Sequence, residues 1–322
     1  MIQRRLGSSD LIVSAIGLGC WQFSGGSGFG GNFWPALPDS DVRDILRRCL
    51  EGGVNWFDTA EAYGWGASER ALSASLKALG VRKEQIVVAT KWWPVLRTAS
   101  AISPGVEKQL RILDPFAIDL YQIHQPFGWS SVEKEMDAMA RLAEAGKIRH
   151  VGVSNFSAKQ LQRADAQLRR HGLRLVSNQV RFNLLHRVIE SNGVLSAAKD
   201  LGISIIAYSP LAQGVLSGKY HDRRNAHHPS GYRRFLPDFS RRVLERTRPL
   251  IDVLRGVGSR HGATPSQVAL RWVLSIHGEM IVAIPGATSP AQARDDAASA
   301  AVDLSEEDLS DIGEASGKCL SS

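Results

Sequence analysis

The sequence predicts an α/β protein, a closed (β/α)8 TIM barrel preceded by a short N-terminal hairpin. Three observations carry that expectation. Short Ile- and Val-rich runs recur along the chain, at Ile16–Gly19, Val54–Asp58, Ile86–Lys91, Ile118–His124, Ile148–Ser154, Leu175–Val180, Ile203–Ser209 and Ile281–Ile284. Each is continuous rather than alternating, the pattern of strands covered on both faces. Helix-length amphipathic segments lie between most of them on short connections, which argues for parallel strands. Eight such units without a break suit a closed barrel better than an open doubly wound sheet. No linker divides the chain, so residues 1–322 are expected to form a single domain.

Gln3–Leu6 and Leu11–Ser14 flank Gly7-Ser-Ser-Asp10 and read as the hairpin before the first barrel strand. Gly26-Ser-Gly28-Phe-Gly30-Gly31 matches the spacing of a dinucleotide fingerprint, but Asn32-Phe-Trp-Pro35 follows it where a helix should open. That run is expected to be a loop over a pocket. Ser131–Ala145 is the clearest helix: Val132, Met136, Met139, Leu142 and Ala143 make one apolar stripe, Ser131 caps the start and Gly146 stops the end. The stretch between the seventh and eighth strands is much longer than the others. It carries His227-His228-Pro229-Ser230-Gly231, and an inserted loop or lid is expected there. Asp303–Asp311 begins a C-terminal helix, with acids near its positive end.

The hydrophobic content of 43% and charged content of 22% are ordinary for a globular protein. No run reaches the ~18 apolar residues that a membrane span needs. The N-terminal Met1-Ile-Gln-Arg-Arg-Leu-Gly lacks a secretory-type apolar core, so a cytoplasmic location is expected. Cys20, Cys49 and Cys319 are far apart and include no Cys-x-x-Cys, so neither a disulfide framework nor a metal site is expected. The net charge is +7, and much of it lies in 219–248. Without an aromatic-stacking motif or helix-turn-helix, that segment reads as a solvated face or as a basic rim around an anionic small ligand, not as a nucleic-acid surface. The sequence leaves open whether the protein is a monomer or a homo-oligomer.

Asp58, Lys91 and His124 end the second, third and fourth predicted strands, and Tyr63 follows Asp58 by five residues. In a barrel, side chains at the C-terminal strand ends converge on one face. An unshifted tyrosine titrates near ~10, too high for easy proton exchange at neutral pH. A lysine beside it is expected to lower that value by favouring the phenolate. Asp58 would hold Lys91 charged and in place, and His124 would donate a hydrogen bond to a substrate oxygen. Taken singly, each residue has an ordinary structural reading. Together they suit protonation of a carbonyl oxygen as hydride arrives at its carbon. Trp21, Trp34, Trp92, Trp93, Phe127 and Trp129 follow the first, third and fourth strands and suggest an aromatic pocket.

These segments resemble the aldo-keto reductase superfamily. The resemblance runs through Gly52–Gly64, Ala89-Thr-Lys91-Trp92, Asp119–His124, Val151–Phe156, Asn178-Gln179-Val180, Ala207–Tyr220 and Ile284-Pro285-Gly286-Ala287, nearly the whole chain. It is similar to the bacterial and plant members with an Ile-Pro-Gly ending. The resemblance implies a nicotinamide cofactor held without a Rossmann fold, and reduction of an aldehyde or ketone of aryl, cyclic or sugar-like kind to the alcohol. It makes Tyr63 the proton donor, with Asp58, Lys91 and His124 in support. It puts Ser154, Asn155 and Gln179 on the carboxamide and Tyr208 on the nicotinamide ring. Ser209, Leu211 and Gly218 would approach the pyrophosphate, Thr288 the adenosine 2′-phosphate and Asp296 the adenine, with Gly214, Lys219, Pro285, Gly286 and Gln292 also in the cofactor set. Gly19, Trp21 and Asp58 complete the cofactor set. Trp21, Trp34, Tyr63, Trp92, His124 and Trp129 would line the substrate site. NADPH is the implied cofactor, with NADH as the alternative, because Thr288 stands where many relatives carry Lys or Arg. A weakly catalytic, cofactor-sensing subunit, like the channel β subunits that also resemble this family, is the alternative function. His124 argues against it, since that position is altered in those proteins.

Overall fold

The computed structural model describes residues 1–26, 33–222, 229 and 231–321. Most of the glycine-rich run and the His227-His228 segment therefore lie outside the described residues. Strands β1 (Gln3–Arg5) and β2 (Ile12–Ser14) pair antiparallel, with Gln3 opposite Ser14, and form the predicted hairpin. Eight parallel strands follow: β3 (Leu18–Gly19), β4 (Trp56–Asp58), β5 (Val87–Trp92), β6 (Leu120–Ile123), β7 (His150–Ser154), β8 (Leu175–Arg181), β9 (Ser204–Tyr208) and β10 (Ile281–Ile284). Each pairs with the next in chain order. Closure comes from just before β3, where Ile16 bridges Ala283, the Gly17 N–H donates to the Ala283 carbonyl (2.8 Å) and the Ala283 N–H donates to Ala15 (2.9 Å). The result is the (β/α)8 barrel that the sequence predicts.

The helices are α1 (Asp39–Glu51), α2 (Ala67–Ala78), α3 (Ile102–Leu113), α4 (Val132–Glu144), α5 (Ala158–Arg169), α6 (Val194–Leu201), α7 (Arg241–His261), α8 (Pro265–Ser275), α9 (Pro290–Ala298) and α10 (Glu306–Ser321). Local sequence sets several of their starts. Ser131 accepts from the Lys134 N–H and opens α4. Ser157 with Gln160, and Thr264 with Gln267, form capping boxes at α5 and α8 that satisfy otherwise orphaned N–H groups. The long connection between β9 and β10 is more structured than the expected loop. After several single turns it builds α7 and α8, which pack against each other.

Two apolar layers result. The larger lies between barrel and helices. The smaller fills the N-terminal end of the barrel, where Leu6, Leu11 and Val13 of the hairpin meet Trp56, Val87, Leu120, Val176 and Val282. Gly7 permits this close approach: its φ is +54°, and a Cβ there would collide with the Val176 carbonyl. The hairpin thus seals one end of the barrel and leaves the C-terminal strand ends for chemistry.

Candidate active site

A cavity of about 780 Å³ opens at the C-terminal strand ends. Asp58 is the last residue of β4, and Lys91 lies one residue before the end of β5. Both are buried and form an ion pair. Lys91 Nζ also donates to the Thr59 carbonyl (2.9 Å) and lies 3.4 Å from the Tyr63 hydroxyl. The second oxygen of Asp58 accepts from Gln122 (3.0 Å) and Gln179 (2.8 Å), neighbours from β6 and β8. Asp58 is thereby held from three strands, and it fixes Lys91 behind the phenol. Burial opposes the Lys91 ammonium, but Asp58 and then Tyr63 outweigh burial and hold its pKa above the ordinary lysine value.

Tyr63 corrects the expected direction. Burial raises its pKa, and Lys91, which pulls it down, does not offset the whole rise. The phenol is therefore a firmly protonated donor whose conjugate base would form beside a fixed cation. His124 follows β6, its N–H bonded to the Trp92 carbonyl (3.0 Å). Its ring meets Tyr63 edge-on with centroids 5.5 Å apart. Burial, with Lys91 adding to it, holds the imidazole pKa well below 6.5, so the ring is neutral. Its Nδ1 is buried without a partner among the described residues.

A second network steadies β5 from outside the barrel. Tyr121 donates to Gln109 of α3 (2.6 Å), and Gln109 donates to Glu69 of α2 (2.7 Å) and to the Lys91 carbonyl (3.2 Å). Nothing in the sequence pattern had marked Gln109 or Glu69.

Gly19, Trp21, Trp34, Asp58, Tyr63, His124, Ser154, Asn155, Gln179, Tyr208, Ser209, Leu211, Gly214, Lys219, Pro285, Gly286, Thr288, Gln292 and Asp296 all line the cavity. Around Asn155 the polar groups are tied to one another. Tyr208 donates to Asn155 (3.1 Å), Asn155 donates to Ser154 (3.0 Å), and Ser154 donates to the Gln179 carbonyl (2.9 Å). Asn155, Ser209 and Gln213 adopt positive φ without being glycine. Such backbone strain concentrates at functional sites, where surrounding structure enforces it.

Four expected residues stand elsewhere. Lys91 lies behind the cavity wall and is fully buried. Gly218 is off the lining, where its carbonyl accepts from Arg255 (3.2 Å). Trp92 is fully buried toward the helices, with the Arg97 guanidinium 5.3 Å from its ring and Gly105 of α3 against its edge. Alternation along the strand explains this: with Lys91 facing the barrel axis, Trp92 must face out and Trp93 in. Trp93 accordingly lines the cavity and meets His124 edge-on at 5.1 Å. Trp129 is 69% exposed and off the lining. Residues that the sequence reading missed include Gln22, Gln125, Arg181, Gln213, Arg233, Thr264 and Asp295. Arg181 is the last residue of β8, Gln125 follows His124 and Asp295 lies on α9, while Gln213, Arg233 and Thr264 come from the long β9–β10 connection.

The donor set fits a nicotinamide dinucleotide. Amide and hydroxyl groups at Ser154 and Asn155 match a carboxamide, and Gln22 and Gln213 each keep a buried carbonyl oxygen without a partner among the described residues. Among the described residues, no three His, Cys, Asp or Glu side chains gather as a metal site, and no helix is long and apolar enough to cross a membrane.

Residues 15–316 match the model of the aldo/keto reductase family. An oxidoreductase of Mycobacterium tuberculosis, itself uncharacterized, is 41% identical over 294 residues, 91% of this chain and 86% of the relative. A probable aldo-keto reductase of Glycine max is 31% identical over 97% of this chain and 88% of its own length. Among solved structures, the glycerol dehydrogenase of Gluconobacter oxydans superposes with a TM-score of 0.82 at 27% identity, covering 97% of this chain and 94% of its own. A thermostable aldo-keto reductase crystallised with the inhibitor epalrestat gives 0.76 at 28% identity, covering 98% and 100%. Because the family match runs from the segment that closes the barrel into the helix that ends the chain, the protein belongs to the aldo/keto reductase family and is an oxidoreductase.

Proposed function

We propose that this protein is a cytoplasmic, single-domain NADPH-dependent reductase of aldehydes or ketones, with Tyr63 as general acid. The observation that carries this reading is the Tyr63 hydroxyl held 3.4 Å from the buried Lys91–Asp58 pair, beside a neutral His124. When bound, a reduced nicotinamide supplies the hydride. The neutral imidazole of His124 donates a hydrogen bond to the substrate oxygen and orients the carbonyl. Tyr63 gives that oxygen its proton as negative charge develops there, and the Lys91 ammonium stabilises the phenolate left behind. Asp58 keeps Lys91 charged and fixed, so little reorganisation accompanies the proton transfer.

The test is Tyr63→Phe. It should leave cofactor binding nearly intact, measured by fluorescence quenching, and lower kcat for reduction by about a hundredfold or more. Near-normal turnover would remove Tyr63 from this role. Turnover by the unsubstituted protein also separates an enzyme from the cofactor-sensing subunit.

One observation favours a second reading of the cofactor, as NADH. At the end of the cleft where Thr288 lies, Asp295 and Asp296 line the wall, and Thr288 spends both its N–H (2.8 Å) and its hydroxyl (3.0 Å) on Gln292. A carboxylate suits a ribose hydroxyl and repels a 2′-phosphate. Dissociation constants for the two cofactors decide between them.

A further inference from the structure

Tyr63 stands on a loop and not on a strand, and a loop holds a side chain less precisely. Two side chains outside the cleft make up the difference. Glu61 comes two residues before Tyr63 and is off the cavity lining. Its N–H donates to the Lys91 carbonyl (3.1 Å). Its carboxylate accepts from the Trp93 N–H (3.1 Å) and from Arg97, whose Nη1 lies 2.9 Å from both oxygens. Arg97 reaches further. It donates to the Trp93 carbonyl (3.1 Å) and to the Ala101 carbonyl (3.3 Å). Its own carbonyl accepts from the Trp129 N–H (2.9 Å), in the connection that follows His124, and Val95 bridges Gly128 beside it. The Glu61 and Arg97 side chains are 13% and 28% exposed, so solvent screens the pair only in part. The chain accepts strain to form this pair. The Arg97 N–H closes a turn on the Pro94 carbonyl (2.9 Å), and Leu96, third in that turn, has φ +60°. Glycine is the usual residue there. Leu96 is 68% exposed and gains little by packing. What the strained turn achieves is to bring Arg97 back onto Glu61.

We infer that Glu61 and Arg97 form a clasp that locks the loops after β4, β5 and β6 into one body, and that the two are positioning residues for Tyr63, Trp93 and His124. This rests on the reading of the protein as a carbonyl reductase and concerns that same site. Neither residue reaches the cavity, so neither touches substrate or cofactor. Tyr63 comes from the first of these loops, Trp93 opens the second and His124 opens the third. The phenol and the imidazole must meet one substrate oxygen from two different loops. A displacement of ~1 Å between them can cost about a hundredfold in rate. The clasp takes no part in bond making; it keeps that relative placement while the loops move.

The experiment compares Glu61→Gln, Arg97→Met and the double variant with the unsubstituted protein. The first readout needs no ligand and no turnover: amide hydrogen exchange followed by mass spectrometry. Either single substitution should speed exchange in residues 59–66, 93–101 and 125–131 together, by about tenfold or more, while β7, β8 and β9 stay protected. Faster exchange confined to the substituted loop, or spread through the barrel, would overturn the clasp. The second readout is reduction of 4-nitrobenzaldehyde by NADPH. In each single variant kcat should fall by about tenfold or more, with KM and the NADPH dissociation constant changed by less than about twofold, because only alignment at the reacting atoms is lost. The double variant should fall no further than the worse single one, as for residues that act as a unit. Arg97→Lys keeps the charge and the stem but loses the fork, and it should retain part of the rate. An unchanged kcat, additive losses in the double variant, or a rise in KM alone would sink the positioning role. If the unsubstituted protein reduces no aldehyde, the reductase reading fails, and the joint exchange of the three loops decides the clasp by itself.

Discussion

At the scale of single residues, the site separates two ring systems by opposite shifts. Burial raises the Tyr63 pKa and lowers that of His124, so both are in their neutral, hydrogen-donating forms across ordinary conditions. The kcat/KM for reduction should therefore be flat between about pH 6 and pH 9, with no inflection near the usual histidine value. It should fall only at higher pH, as the phenol loses the proton it must donate. An inflection near 6.5 that vanished in His124→Gln would contradict the neutral imidazole. Thr288 offers a different kind of prediction. Burial, with Asp295 adding to it, raises the Asp296 pKa well above the ordinary carboxyl value. Thr288→Arg should tighten NADPH relative to NADH by about tenfold, read from paired dissociation constants. That Asp58, Tyr63, Lys91 and His124 come together was legible, because three of them end predicted strands and Tyr63 follows Asp58 closely. The direction of the Tyr63 shift was not, because a pairwise argument from Lys91 omits how completely the phenol is desolvated.

At the scale of elements, β5 shows how much a two-residue period decides. The run Thr90-Lys91-Trp92-Trp93 looks like two adjacent pocket tryptophans, yet alternation sends Trp92 to the helices and Trp93 to the cleft. The β9–β10 connection shows the opposite case. Its length suggested an inserted loop or lid, while α7 and α8 follow one another and pack together, and α7 also packs against α10. Arg233 and Thr264 reach the cleft from this connection, which no local pattern records, whereas Arg181 stands at the end of β8. Helix α4 carries a buried cost. Glu135 is 2% exposed, its Oε1 lacks a partner among the described residues, and its carboxyl lies against Gly128. Burial pushes its pKa up to about 7. The folded state then holds this proton more tightly than the unfolded chain does. Stability from this group is full below the unfolded value and declines as pH rises toward about 7. Glu135→Gln should remove that decline and stabilise the protein at pH 8 by on the order of 2 kcal/mol, measured by urea unfolding.

For the whole molecule, closure depends on a contact that only the smallest residue allows. Gly17 lies in the segment that joins the first strand to the last, and a Cβ there would enter the Trp56 ring. Trp56 cannot retreat easily, since its Nε1 donates to the Ser14 carbonyl (2.8 Å) and its ring fills the inner layer. Gly17→Ala should cost about 1–3 kcal/mol through overpacking and lower the Tm, while Gly256→Ala, in open space on α7, should produce no such loss. The hairpin that Trp56 helps to seat closes the base of the barrel, so ligands reach the strand-end chemistry from one side alone. Traffic at this site is then a stack and not a corridor. Whatever lies deepest enters first and leaves last, and a compound lodged at the rim imprisons the partner beneath it.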